Sequence, residues 1–186
     1  EHPAHLNGVW QAAAAASALL QAGHSALDAV ERAVQLMEDD PTFDAGVGSV
    51  LTCVGDIELD AMIMDGESLR VGAVAAAQGL HNPIQVARLI MRDTEHNLLV
   101  GSGVRDFARM KGVRLAAQAE LTVPREVERF HRYQSTPPTP ISEAFTAGTA
   151  HSGGTVGAVA IDQAGNIASG TSTGGTPFSL PGASGG

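Results

Sequence analysis

Thr155 follows two glycines, Gly153 and Gly154, and opens the run TVGAVAID. A second run, NIASGTST, ends in Thr173 and is followed by Gly174 and Gly175. A threonine hydroxyl attacks a carbonyl only when a base removes its proton. No histidine or lysine adjoins Thr155. One arrangement needs neither. Scission of the Gly154–Thr155 peptide bond would give Thr155 a free α-amine, whose pKa of about 8 in model compounds makes it a base at neutral pH. Flexible glycines before it allow the strained geometry of an internal attack. A loop followed by an ordinary β-hairpin accounts for the same spacing, and the residues alone leave both readings open.

Other chemistries lack their residues. There is no Walker loop, no zinc motif and no Gly-x-Ser-x-Gly elbow. The seven histidines are scattered, and only His2 and His5 have a ligand-like spacing, at a terminus expected to fray. One cysteine, Cys53, excludes an internal disulfide framework and is expected as a small core residue. The net charge is −9 and no basic run could neutralise several phosphates, which excludes nucleic acid as a partner. The most apolar stretch, GVWQAAAAASALLQAG, is interrupted by Gln11 and Gln21 and is too short to span a membrane. No signal-peptide pattern is visible, and a cytoplasmic location is expected. The chain opens on Glu1 rather than Met, so residues are expected upstream.

The elements that must carry Thr155 and Thr173 can be read from periodicity. Residues 8 to 38 predict two helices, with Gly23 closing the first and Ser25 capping the second. Leu27, Val30, Val34 and Met37 share a face of that second helix, and Pro41 helps to stop it. GSVLTCV, DIELDAMIMD and SLRVGAVAAA predict strands, separated by turns at VGD and DGES. In the second of these, Ile57, Leu59, Ala61 and Ile63 alternate with Glu58 and Asp60, an acid pair read as solvated or turn-bound. NPIQVARLIMRDT predicts a helix with Asn82 as N-cap and Pro83 at its first position. NLLVGSG predicts a short strand and turn, VRDFARMKG a helix closed by Gly112, and PREVERFHRY an exposed helix. Residues 134 to 154 read as a mobile linker rich in Pro, Thr, Ser and Gly. TVGAVAID and NIASGTST then predict a hairpin turning at QAGN.

Aromatics are 4% of the chain and hydrophobic residues 44%, so Ala, Val, Leu and Ile must fill the core. Helices and strands in separate blocks point to an α+β fold.

GGTVGAVAIDQAGNIASGTSTGG resembles the processing site and second-subunit start of the plant-type L-asparaginase and isoaspartyl peptidase family, N-terminal-nucleophile hydrolases related to glycosylasparaginases. SALDAVERAVQLMEDDPTFDAGVGSVLT, IELDAMIMDG, LRVGAVAAAQGLHNPIQVARLIM and HNLLVGSG resemble it too, in family order, over residues 8 to 182. The resemblance implies a four-layer αββα sandwich, here without its first strand and the later part of its second subunit. Residues 1–154 would be the α-subunit-like region and 155–186 the start of the β-subunit-like region, together one domain. It implies self-cleavage between Gly154 and Thr155, with Thr155 as nucleophile and Thr173 hydrogen-bonding near it. Gly174, Gly175 and Asp44 would bind a small substrate, either asparagine or a β-aspartyl (isoaspartyl) dipeptide. No cofactor is implied for catalysis. A structural sodium would lie on backbone carbonyls around Glu38, Phe43 and Ala45, and the assembly would be a homodimer of αβ units.

Departures keep alternatives open. The family opens with a strand carrying an HGGAG-like motif, absent here before Glu1. Asp44 replaces the asparagine of the family's FNAG, and its charge is expected to raise the pKa of the new amine or to compete as a base. Ala183 stands where the family has a substrate-gripping arginine and Gly186 where it has an aspartate, and the later GTGE-like oxyanion segment is missing. An inactive, truncated relative serving as a scaffold fits those losses. A glycosylasparaginase-type activity fits the glycine before Thr171.

Overall fold

The computed structural model describes residues 3–136 and 154–183. Two helices lead, α1 (Pro3–Gln21) and α2 (Ala26–Asp39). α1 begins at Pro3 rather than residue 8, because proline's fixed φ and missing N–H suit a first helical turn. It ends as predicted. Gly23, at φ 85°, donates its N–H to Leu20 O at 3.1 Å, and His24 donates to Leu19 O at 3.0 Å. Ser25 caps α2 through a capping box with Asp28. Val30, Val34 and Met37 are buried on the predicted stripe, and Leu27 lies half-buried at its margin.

Residues 48–54 are not the predicted strand. They belong to a folded loop that fills residues 40–58. Gly46 and Gly48 take φ of 56° and 96°, which breaks the extended run. Val50 and Leu51 are buried, but Val50 N–H goes to Asp44 Oδ1 at 3.0 Å and Cys53 N–H to Ser179 O at 2.8 Å, not to a strand. Apolar runs report burial and leave the conformation open. Cys53 is half-buried rather than in the core.

Order resumes with β1 (Leu59–Asp65) and β2 (Val71–Ala77), then α3 (Pro83–Asp93) and β3 (Leu98–Val100). Asn82 precedes α3 as predicted but does not cap it with its side chain. Its amide donates to Asp39 Oδ1 at 2.9 Å, and Glu38 Oε1 accepts the Ile84 N–H at 3.0 Å instead. Glu58, read as solvated or turn-bound, accepts Gly182 N–H through Oε2 at 2.7 Å, whereas Asp60 reaches across to β2 and accepts Ala76 N–H through Oδ1 at 2.7 Å.

α4 (Ser102–Met110) is followed by α5 (Gln118–Leu121), a turn of helix not foreseen, and α6 (Pro124–Ser135). α6 runs into residues 134 and 135, which were expected in the linker, and most of that linker lies outside the described residues. α6 is not simply exposed either: Glu126 is buried, and Phe130 and Tyr133 stack near Phe178 at 5.8 and 6.0 Å. β4 (Val156–Ile161) and β5 (Ile167–Thr173) form the predicted hairpin, closed by Asp162 N–H to Asn166 O at 3.0 Å.

The architecture is mixed α+β with one five-stranded sheet, ordered β3-β2-β1-β5-β4. Neighbours are antiparallel except β2 and β3. α2 and α3 cover one face, where Leu59, Ala61, Ile63, Val74 and Ala168 are buried. Arg88 of α3 ties the two helices together, bonding Asp28 at 2.6 Å and Glu31 at 2.5 Å. The alternating residues, among them Met62, Val159, Ile161 and Ile167, leave the opposite face apolar and exposed. Among the described residues no helix is long and apolar enough to cross a membrane.

Ile63 is fully buried at the centre of the sheet. Ile63→Ala is expected to lower the unfolding free energy by about 2–5 kcal/mol, read as a lower urea midpoint at unchanged slope.

Candidate active site

The β4–β5 ladder sets the site. It pairs Ile161 with Ile167 next to the turn and closes at Val156 with Ser172. One position further along the two strands stand Thr155 and Thr173. The hairpin therefore brings the two predicted catalytic threonines to one end of the sheet. Thr155 and Gly154 are exposed, lining a cleft of about 720 Å³ between α1 and the edge strand β4, with His5 and Phe43 at its wall. Thr173 is buried, and Asp60 of β1 is its register partner on the other side.

Thr173 Oγ1 accepts the Gly175 N–H at 3.0 Å, which leaves its own proton free to be donated. Gly174 N–H donates to Asp44 O at 2.9 Å. A Cβ on Gly174 would stand 2.3 Å from Asp44 Oδ1 and 2.5 Å from Ser49 Cβ, so only glycine fits there. The 40–50 loop and the end of β5 thus meet, and Asp44, Thr173, Gly174 and Gly175 form one cluster. The backbone donors of both glycines are engaged within it.

The acids here are buried. Burial pushes the Asp44 carboxyl up to about 7, with Glu126 adding to the rise and Val50 N–H and the arginines of α6 opposing it. Burial likewise pushes Glu38 up to about 8, against the opposing Ile84 N–H and Ser172.

Of the residues implied as carbonyl donors, Phe43 and Ala45 lie in the same loop and Glu38 in the last turn of α2. Glu38 O accepts Val47 N–H at 2.8 Å, and Phe43 O accepts Arg125 Nη2 at 3.2 Å. Arg125, Glu126 and Arg129 of α6 were missed by the sequence reading. Their i, i+3, i+4 charges look like those of any solvated face, and the buried Glu126 had no local signal. Ser49 and Ser172 were also missed. Their hydroxyls are buried beside this cluster, Ser172 next to Glu38, and that of Ser49 has no hydrogen-bond partner among the described residues. Ala183 lies in a turn, its N–H on Leu180 O at 3.1 Å, and Gly186 is outside the described residues.

Comparison with known proteins gives a consistent picture. The sequence model of the family described as Asparaginase matches residues 2–185. The isoaspartyl peptidase/L-asparaginases of Danio rerio and Homo sapiens are each 44% identical over 168 residues, covering 90% of this chain and 53% of theirs. The isoaspartyl peptidase of Escherichia coli strain K12 is 39% identical over 173 residues, 88% of this chain and 51% of its own. The chain spans about half the length of the curated relatives it matches.

Glu38 makes stability depend on pH. Its folded pKa, about 8, exceeds the 4.5 of a free carboxyl, so the folded state holds the proton more tightly. Stability is highest below the free value and falls as pH rises toward 8. Thermal melts from pH 5 to pH 8 are expected to show a decreasing Tm. Glu38→Gln is expected to flatten that decline.

Proposed function

The chain belongs to the asparaginase family, and from that premise we propose that it is part of a self-processing threonine amidohydrolase. Its substrates would be L-asparagine and β-aspartyl dipeptides, with no cofactor in the chemistry. The observation that carries this reading is the ladder closing at Val156 and Ser172, which leaves Thr155 and Thr173 next to each other.

Hydrolysis of the Gly154–Thr155 bond frees the Thr155 amine. The amine takes the proton from Oγ1 as oxygen attacks the side-chain carbonyl of the substrate. The tetrahedral adduct collapses, the ammonium returns the proton to the leaving nitrogen, and ammonia or an amino acid departs. An aspartyl ester on Thr155 remains. Water, deprotonated by the same amine, attacks the ester, and the ammonium returns that proton to Oγ1 as aspartate departs. Thr173, whose oxygen already accepts from Gly175, donates its hydroxyl proton toward Thr155. Gly174 and Gly175 spend their N–H groups on Asp44 and Thr173, so the oxyanion donors that acyl transfer needs come from other groups.

The finer architecture is part of the proposal. The exposed apolar face of Met62, Val159, Ile161 and Ile167 suits a second sheet, which with an outer helix layer would complete an αββα stack. The assembly would be a homodimer of αβ units in the cytoplasm. One observation favours a non-catalytic relative instead: Ala183, aligned with the family's arginine, has no donor for a substrate carboxylate.

Hydrolysis of an isoaspartyl dipeptide by the purified protein tests the reading. Thr155→Ala is expected to reduce kcat/KM by at least about 10³-fold. Thr173→Val is expected to reduce it by about 10- to 100-fold, the loss of one hydrogen bond to a charged or developing-charge centre. Turnover unaffected by Thr155→Ala contradicts the reading, and no turnover by the unaltered protein favours the scaffold.

A further inference from the structure

Three carbonyl oxygens of the loop after α2 converge on one side chain. Arg125 Nη1 donates to Pro41 O, and Nη2 donates to Phe43 O at 3.2 Å and Gly48 O at 3.0 Å. We propose that this guanidinium is the resident cation of the 40–58 loop, standing in for the structural sodium that membership of the family implies.

Two of the three carbonyls implied for sodium already have partners. Phe43 O faces a guanidinium, so an ion coordinated there would sit beside a like charge. Glu38 O is taken by Val47 N–H at 2.8 Å. A Cβ on Gly48 would lie 2.7 Å from both Pro41 O and Phe43 O and 2.9 Å from Arg125 Nη2. The space between Pro41 O, Phe43 O and Gly48 is therefore already filled by the guanidinium. Its planar donors are matched to several fixed acceptors, which a lysine or a spherical ion meets differently.

The arginine is itself held in place. Its Nε donates to Glu126 Oε1 at 2.9 Å, and Arg129 Nη1 lies 3.2 Å from the other carboxylate oxygen. Glu126 is 2% exposed, so this anion is fixed beneath the cation. Gly48 N–H adds a bond to Leu121 O at 2.8 Å, linking the loop to α5. The loop braced in this way carries Asp44 to Gly174. Arg125 is thus a positioning residue: it acts through the loop and touches no reacting atom.

Melting temperature tests this, read in sodium, potassium and choline chloride at one ionic strength, for the unaltered protein, Arg125→Lys and Arg125→Gln. The unaltered Tm is expected to agree within about 1 °C across the three salts. Arg125→Gln is expected to lose about 4 °C or more, and Arg125→Lys, which keeps the charge, less than half of that loss. A saturable rise of the unaltered protein's Tm with sodium, absent with choline, overturns the proposal. Equal losses for Lys and Gln, or none for Gln, also overturn it. The first measurement needs no variant and stands even if a variant does not fold.

Discussion

The close approach of Asp44 to Gly174 is the contact on which the candidate site depends. Backbone meets backbone at 2.9 Å, and no side chain could be added at Gly174 without displacing Asp44 or Ser49. That contact anchors the end of β5. With β5 fixed between β1 and β4, the antiparallel register places Thr173 beside Thr155, while Asp60 closes the other side. The position of Thr155 therefore follows from a loop more than a hundred positions earlier in the chain.

Holding that loop in place requires satisfying its polar backbone away from water. An irregular buried segment has no ladder to absorb its N–H and C=O groups. Here side chains take that role. Asp44 accepts Val50 N–H, Glu38 reaches across to cap α3, and Arg125 gathers three carbonyls. Two of these groups are carboxyls shifted upward by burial, which matches their use as hydrogen-bonding groups in the interior. The same strap joins the two halves of the site, because α6 also packs Phe130 and Tyr133 around Phe178 after β5.

Much of this was legible where one local signal sufficed. The stripe of Val30, Val34 and Met37 and the N-cap Ser25 defined α2. The turn at Gly165 and Asn166 defined the hairpin, while the nearness of Thr173 to Thr155 was read through family resemblance and its register came from the structure. The failures have physical causes. Residues 48–54 carry the apolar content of a strand, but Gly46 and Gly48 turn the chain and their partners lie elsewhere. α6 has the charge pattern of a surface helix, because what Arg125 binds is carbonyl oxygen, which no side-chain sequence records. Asp44 was singled out through family resemblance and not through periodicity. Its contact with Gly174 is a tertiary fact.

The central claim is that Thr155 becomes an N-terminal nucleophile. The most direct test is the intact mass of the purified protein after incubation at neutral pH. The account predicts two fragments whose masses sum to the precursor plus one water, the one from the C-terminal side beginning at Thr155. A single uncut species, or a break at any other bond, would contradict it.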